Sequence, residues 1–159
     1  MDSGNARWHA EQAALYLDRV RGMSVKVKSL TMTIQELEAK AEGVGAMRYD
    51  KDNVKTSPTD DTMPNNVSRL IELKAERERK LELYQKEIDA VFRALDRMEN
   101  LTYSAALEMH YVNGMSWKDV RHKLGYSKPH MMTIRQKALT DFYEVMPPSE
   151  HFIGVPKAI

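Results

Sequence analysis

Six lysine and arginine side chains fall between Met115 and Lys137, where the chain holds one acidic residue, Asp119. The basic residues are Lys118, Arg121, Lys123, Lys128, Arg135 and Lys137. Six positive charges and one negative charge give this stretch a local charge of +5, whereas the whole chain carries +1. A basic patch on an almost neutral chain predicts an anionic partner that docks at the patch.

Polar side chains that can contact nucleic-acid bases stand among these cations. Lysine and arginine neutralise phosphates, whereas threonine, histidine, glutamine and lysine can meet donor and acceptor groups on base edges. The candidates for base contacts are Lys128, His130, Met132, Thr133 and Gln136. The candidates for phosphate contacts are Lys118, Arg121, Arg135 and Lys137. The alternative is a basic helical corner on a compact domain, with no role in binding.

The local pattern predicts two short helices joined by a tight turn. Ser116, with Asp119 three residues later, forms a capping-box pattern at the start of a helix over 117–124. Gly125 ends that helix, and Ser127 caps the next one. Two such helices with a glycine turn between them are typical of a helix-turn-helix, in which the second helix enters a major groove of DNA.

Apolar residues predict how the second helix is rotated about its axis. Met131, Ile134, Ala138 and Phe142 share one face and should point to the core. That rotation leaves the base-contact candidates at or near the open side. A helix over 101–112, with Leu107 and Tyr111 on its buried side and a stop at Asn113–Gly114, should precede the pair.

Two longer strings resemble known families. "LTYSAALEMHYVNGMSWKDVRHKLGYSKPHMMTIRQKAL" resembles region four of primary-type sigma factors. Almost the whole chain is similar to the phage RinA/ArpU-type transcriptional regulators, through "ALYLDRVR", the linker "DNVKTSPTDDTMPNNVSRLIEL" and the close "ALTDFYEVMPP". This resemblance implies a phage-encoded, sigma-region-four-like DNA-binding protein that regulates late genes in the cytoplasm of a bacterial host.

Arg121 departs from the pattern of this motif, which usually has a small alanine at that position. The position normally faces the second helix at close range. Either the arginine stem extends outward and its head reaches a phosphate, or the two helices splay. Trp117 also has two interpretations, a partly buried anchor or a DNA contact, and the anchor is the better supported one.

The N-terminal part of the chain carries a heptad pattern of apolar residues. Its members are Tyr16, Val20, Met23, Val27, Leu30, Ile34, Leu37, Ala41 and Val44. A helix of about 36 residues would be about 54 Å long. Gly22 inside the pattern permits a kink, and Gly43 and Gly45 predict the end of the helix. A second stripe comprises Leu81, Tyr84, Ile88, Val91, Leu95 and Met98. Two such helices predict an antiparallel hairpin or a coiled coil between subunits, hence a homo-oligomer.

The predicted architecture is therefore all-α, a long helical hairpin followed by a C-terminal helix-turn-helix. The predicted segments are a long helix over 1–45, a linker over 46–65, a second long helix over 66–100, the helix-turn-helix over 101–146 and an irregular tail over 147–159. Asn65 or Asn66 should cap the second helix, because an asparagine side chain can accept from a free backbone N–H of the first turn.

Several function classes find no support in the sequence. The chain has no cysteine, so disulfides and thiolate metal sites are excluded, and a cytoplasmic location fits. No apolar run approaches the roughly 20 residues that span a bilayer, and the N-terminus lacks a signal-peptide pattern. The linker aspartates Asp50, Asp52, Asp60 and Asp61 lack calcium-loop spacing. We find no nucleophile beside a base and no phosphate loop, so we expect no enzyme, no metal and no cofactor.

The sequence thus predicts a non-enzymatic, sequence-specific binder of double-stranded DNA that regulates transcription. Two alternatives stay open. One is a small terminase subunit, which joins a helix-turn-helix to oligomerisation helices and marks the packaging site. The other is an interaction module whose basic helix contacts an acidic protein, such as the host RNA polymerase.

Overall fold

The computed structural model describes residues 3–47 and 62–151, with side chains over 3–42 and 65–151. Every regular element in these ranges is helical, which confirms the predicted all-α fold. The main helices are α1 (Ser3–Met47), α2 (Thr62–Asp96), α3 (Leu101–Leu107), α4 (Trp117–Leu124) and α5 (Lys128–Val145). A π-helical turn, Glu108–Val112, continues α3, and a short 3-10 turn, Pro148–Glu150, follows α5. None of the described helices is long and apolar enough to cross a membrane.

The chain divides into two compact units. The first unit comprises Met1–Gly22 and Tyr84–Ile159, and the second comprises Met23–Leu83. The start of α1 therefore belongs with the end of α2, and the end of α1 belongs with the start of α2. This pairing fits the helical hairpin that the two apolar stripes predict.

The stripe of α1 is buried over most of its predicted length. Tyr16, Val20, Leu30 and Ile34 are buried, and Met23, Val27 and Leu37 are half-buried. Ala41 is exposed, so the prediction was wrong there, and the side chain of Val44 lies outside the described ones. The helix continues through Gly22 without interruption. The stripe therefore serves packing along α1 as far as residue 37.

The predicted ends of the long helices need correction. The helix α1 continues through Gly43 and Gly45 to Met47, because glycine within a helix costs only about 1 kcal/mol. The second helix begins at Thr62 instead of at residue 66, and Pro64 falls in its first turn, where no intrahelical partner awaits an N–H group. That helix ends at Asp96 instead of at residue 100. The aspartates at 50, 52, 60 and 61, which we expected not to bind a metal, lie outside the described residues.

Unit 1 has one large core to which four helices contribute. Val91 and Leu95 of α2 cluster with Leu17 of α1, Leu107 of α3 and Phe142 of α5. Leu81, Tyr84 and Ile88 of the α2 stripe are half-buried, whereas Val91, Leu95 and Met98 are buried. Among the core side chains, Phe142 and Val91 are almost completely excluded from solvent. The start of α1 is therefore part of the C-terminal core.

The described residues after α5 include the 3-10 turn Pro148–Glu150, which corrects the prediction of an irregular tail from residue 147. Glu150 in the 3-10 turn forms an ion pair with Arg19 of α1, with 2.8 Å between a guanidinium nitrogen and a carboxylate oxygen. The ring of His151 stacks on Tyr143, and its Nε2 lies 2.8 Å from the Tyr143 carbonyl oxygen. These contacts attach the segment to α1 and α5.

Candidate nucleic-acid interface

The predicted capping residues set the ends of α4 and α5. The Ser116 side chain accepts a hydrogen bond from the Asp119 backbone N–H at 3.1 Å, and Ser127 accepts one from the His130 backbone N–H at 3.4 Å. Gly125 ends α4 with φ +73° and ψ +30°, a left-handed conformation that glycine adopts at low cost. The turn between the helices is therefore only three residues long, 125–127.

The rotation of α5 agrees with its apolar pattern. Met131, Ile134, Ala138 and Phe142 are buried, as predicted. Met131 and Ile134 form a second small cluster with Val120 of α4 and Ala106 of α3. This cluster holds the first two turns of α5 against α4 and leaves the opposite side chains of α5 exposed.

A cleft of about 390 Å³ opens between α4 and α5. We call it the cation cleft, and its lining residues are Trp117, Lys118, Arg121, Lys128, Met131, Met132 and Arg135. Five of the nine candidate contact residues line it: Lys118, Arg121, Lys128, Met132 and Arg135. Two cations come from each helix, so the fold brings together charges that the sequence spreads over eighteen positions, 118–135. The lining contains four basic side chains and no carboxylate.

Trp117 forms part of the wall of the cation cleft and supports one of its cations. The guanidinium carbon of Arg135 lies 5.1 Å from the centre of the indole ring, within the range of a cation–π interaction. The tryptophan is half-buried, in agreement with its interpretation as an anchor. Its ring therefore has one side in the core and one side in the cleft.

The side chain of Arg121 extends outward, and α4 and α5 do not splay around it. The residue is half-buried and lines the cation cleft, while α4 and α5 still share a buried cluster through Val120 and Met131. Its Nη2 lies 3.5 Å from Nε2 of His122. A long stem that extends to the surface lets arginine replace a small residue without separating the helices.

The four remaining candidates are exposed but do not line the cation cleft. Gln136 lines a second cleft of about 230 Å³, together with Glu11 of α1 and with Met132 and Arg135. His130 packs its ring edge-on against Tyr126. The Thr133 hydroxyl donates to the Pro129 carbonyl oxygen at 3.3 Å. Lys137, the fourth of these candidates, is exposed on α5.

The start of α1 lies alongside α5, which the sequence did not predict. The Thr140 hydroxyl donates to the Ala6 carbonyl oxygen at 3.1 Å. His9 stacks on Tyr143 with 4.1 Å between ring centres, and its Nδ1 lies 3.7 Å from a carboxylate oxygen of Glu144. These contacts place α1 along the last turns of α5 and leave the first turns of α5 beside α4.

His110 and Arg21 support the cation cleft, and sequence reasoning missed both. His110 is buried behind Trp117, with 4.2 Å between the two ring centres, and Arg21 reaches its Nε2 at 3.1 Å. One signal for His110 was its place three residues after Leu107, on the buried side of the helix predicted over 101–112. No periodic signal marked Arg21, since charged residues commonly flank an apolar stripe.

Burial also shifts the acid–base chemistry behind the cleft. It lowers the pKa of His110, and the charges of Arg21 and Arg135 act in the same direction. Burial raises the pKa of Tyr111 to about 12. Among the described residues, no group of three or more histidine, aspartate and glutamate side chains could hold a metal ion.

Comparison with known proteins finds no family model that matches the chain, no significantly similar curated protein and no significantly similar solved structure. A proposal for binding therefore depends on the cation cleft and on the residues around it.

Proposed function

We propose that this protein is a non-enzymatic, sequence-specific binder of double-stranded DNA that regulates transcription, with α4 and α5 as a helix-turn-helix. The observation that carries the proposal is the cation cleft, where four basic side chains meet without a carboxylate. Like charges that share a cleft repel one another, and a bound polyanion offsets that repulsion. Duplex DNA is a polyanion with a groove wide enough to admit a helix.

The positions of the side chains suggest separate roles for α4 and α5. Lys118 and Arg121 on α4 would contact phosphates, as the helix before a recognition helix does. Lys128, Met132 and Thr133 are exposed in the first two turns of α5, the end that enters the groove in this class of domain.

The roles of the remaining candidates follow from their surroundings. Arg135 would contact a phosphate from its position over Trp117. His130 lies in the first turn of α5 and would meet a base edge or a phosphate. Gln136 lies beside α1, so it would contact DNA at the edge of the groove. Lys137 would contact the flanking DNA backbone.

The regulatory role rests on the resemblance to phage RinA/ArpU-type regulators. The resemblance implies a late-gene regulator that acts in the cytoplasm of a bacterial host, with the host RNA polymerase as a further partner. Self-association through α1 and α2 stays a prediction.

A selection from random duplexes tests the proposal. The protein should enrich a defined sequence and bind it more tightly than random DNA. Lys128→Ala and Thr133→Ala should each cost about 1–3 kcal/mol at the selected site and relax the base preference there. Lys118→Ala should weaken binding to all sequences alike. If Lys128→Ala and Thr133→Ala leave the ratio of affinity for the selected site to affinity for random DNA unchanged, these residues do not contact the bases.

The mass of the protein in solution separates the alternative functions. A ring of eight or more subunits would favour a small terminase subunit over a regulator. Failure to enrich any duplex, together with direct binding to RNA polymerase, would favour an interaction module.

A further inference from the structure

Apart from the tyrosines of the core, His110 is the only buried polar or charged side chain of the described part of the chain, with 8% of its surface exposed. Both of its ring nitrogens have partners. Nδ1 lies 2.6 Å from the Met115 carbonyl oxygen, and Nε2 lies 3.1 Å from Nη1 of Arg21. The imidazole therefore connects the turn before α4 to helix α1.

These two partners select one form of the ring. A carbonyl oxygen can only accept, so Nδ1 must carry a proton and donate to Met115. A guanidinium can only donate, so Nε2 must keep its lone pair and accept from Arg21. Only neutral His110 with its proton on Nδ1 satisfies both contacts.

His110 also supports the wall of the cation cleft. Its ring stacks on Trp117 with an angle of 23° between the planes, and the ring of Tyr111 packs edge-on against both. Trp117 in turn lies beneath the guanidinium of Arg135. The hydrogen bond to Met115 holds the residue next to Ser116, which caps α4. A displaced imidazole would thus move both the start of α4 and the indole that supports Arg135.

We propose that His110 is the positioning residue of the cation cleft, and that the cleft keeps its anion-binding arrangement only while His110 is neutral. The inference concerns how the proposed DNA-binding site is regulated and rests on that proposed function. The part of the inference that concerns the contact between His110 and Trp117 can be tested without DNA.

Two of the three charged groups that act on His110 oppose its protonation. A proton on Nε2 would point at the Arg21 guanidinium, and Arg135 of α5 is a second cation nearby. Asp18 of α1 is the acidic group that favours the charged form, and α4 contributes the uncharged Trp117. Burial and the two cations outweigh the Met115 hydrogen bond and Asp18, which favour the charged form, so acid would break the Arg21 contact rather than strengthen it.

Fluorescence of Trp117 tests the coupling directly. The chain has two tryptophans, so Trp8→Phe leaves Trp117 as the single indole reporter. A charged imidazole quenches a stacked indole more strongly than a neutral one does. The fluorescence intensity of Trp117 should therefore decrease as the pH is lowered, with a midpoint below 6.5, the ordinary pKa of histidine.

Two further variants in the Trp8→Phe background identify the titrating group. His110→Gln should abolish the transition, because an amide does not titrate. Arg21→Gln should move the midpoint to higher pH, since it removes one of the cations that oppose protonation. A transition that persists in His110→Gln, or a midpoint that Arg21→Gln leaves in place, would overturn the inference.

Binding to a random-sequence duplex at constant ionic strength tests the effect on the cleft. Affinity should be compared at about pH 7.5 and at a pH below the midpoint of the Trp117 transition. Across that midpoint the wild type should lose affinity relative to His110→Gln, by about eightfold at 0.1 M salt if one phosphate contact is lost.

A control variant and two possible negative results complete this test. His122→Gln, at an exposed position of α4, should retain the acid-dependent loss. Equal pH profiles for the wild type and His110→Gln would refute the positioning role. If the wild type does not bind any duplex at neutral pH, the proposed function fails, whereas the Trp117 titration still decides the role of His110.

Discussion

Replacing Arg121 with glutamine removes one charge from the wall of the cation cleft. Lys123 on the same helix is also basic but is exposed and does not line the cleft. Both residues belong to the last turn of α4, where a cation interacts favourably with the helix dipole. Lys123→Gln therefore removes one charge from the same turn of α4, at an exposed position outside the cleft.

The expected magnitude follows from counterion release. Each phosphate that a cation neutralises contributes about 0.9 to the slope of log K against log salt. At 0.1 M salt, one lost contact corresponds to about eightfold weaker binding, or about 1.2 kcal/mol. At 0.2 M salt the same loss falls to about fourfold. If all four cations of the cleft contact phosphates, together they account for a slope of about −3.6.

Fluorescence anisotropy with a labelled duplex of random sequence gives the slope over a series of salt concentrations. Arg121→Gln should reduce the magnitude of the slope by about 0.9. Lys123→Gln should change the slope by much less, because its charge acts on the duplex only through screened solvent. Thermal unfolding of both variants checks that α4 is equally stable in each.

Two outcomes would refute this reasoning. Equal effects of Arg121→Gln and Lys123→Gln would mean that the cation cleft has no special role and that the basic surface acts as a whole. A weaker affinity of Arg121→Gln with an unchanged slope would mean that Arg121 shapes the domain without touching a phosphate.

Three further predictions concern the stability of the fold. The buried hydroxyl of Tyr16 has no hydrogen-bond partner among the described residues, so Tyr16→Phe should keep stability or raise it by about 1 kcal/mol in chemical denaturation; a clear loss would contradict this. The folded pKa of Tyr111, about 12, lies above the unfolded value of 10.0, so its contribution is complete below pH 10 and is lost as pH rises toward 12. Tyr111→Phe should remove that alkaline loss of about 2–3 kcal/mol. Gly125→Ala should lower the free energy of unfolding by about 1–2 kcal/mol, because φ at this position is +73°. Gly22→Ala in the middle of α1 should raise it by up to about 1 kcal/mol. At neither position does an added Cβ meet a neighbour within 4 Å.

Local chemistry made the C-terminal helices predictable from the sequence. Ser116, Gly125 and Ser127 act within three or four residues of their own positions, through caps and one left-handed turn. The burial of Ile134 and Phe142 follows from a helical period that needs no knowledge of the partner. The ends of α1 and α2 were less predictable, because a long packed helix tolerates glycine or an early proline at small cost.

Assembly of the cation cleft depends on contacts that no local pattern encodes. The sequence alone determined which residues are basic and which face of α5 is apolar. Only the tertiary structure decided that Lys118 and Arg121 meet Lys128 and Arg135, while Lys137 stays outside.

His110 and Arg21 show the same division most clearly. They are 89 positions apart, and their hydrogen bond exists because α1 lies beside the π-helical turn that continues α3. A histidine and an arginine in a sequence indicate two polar side chains and nothing about burial. Their pairing depends on long-range packing of apolar side chains, which is non-directional and summed over the whole core, and therefore leaves no signature at either residue.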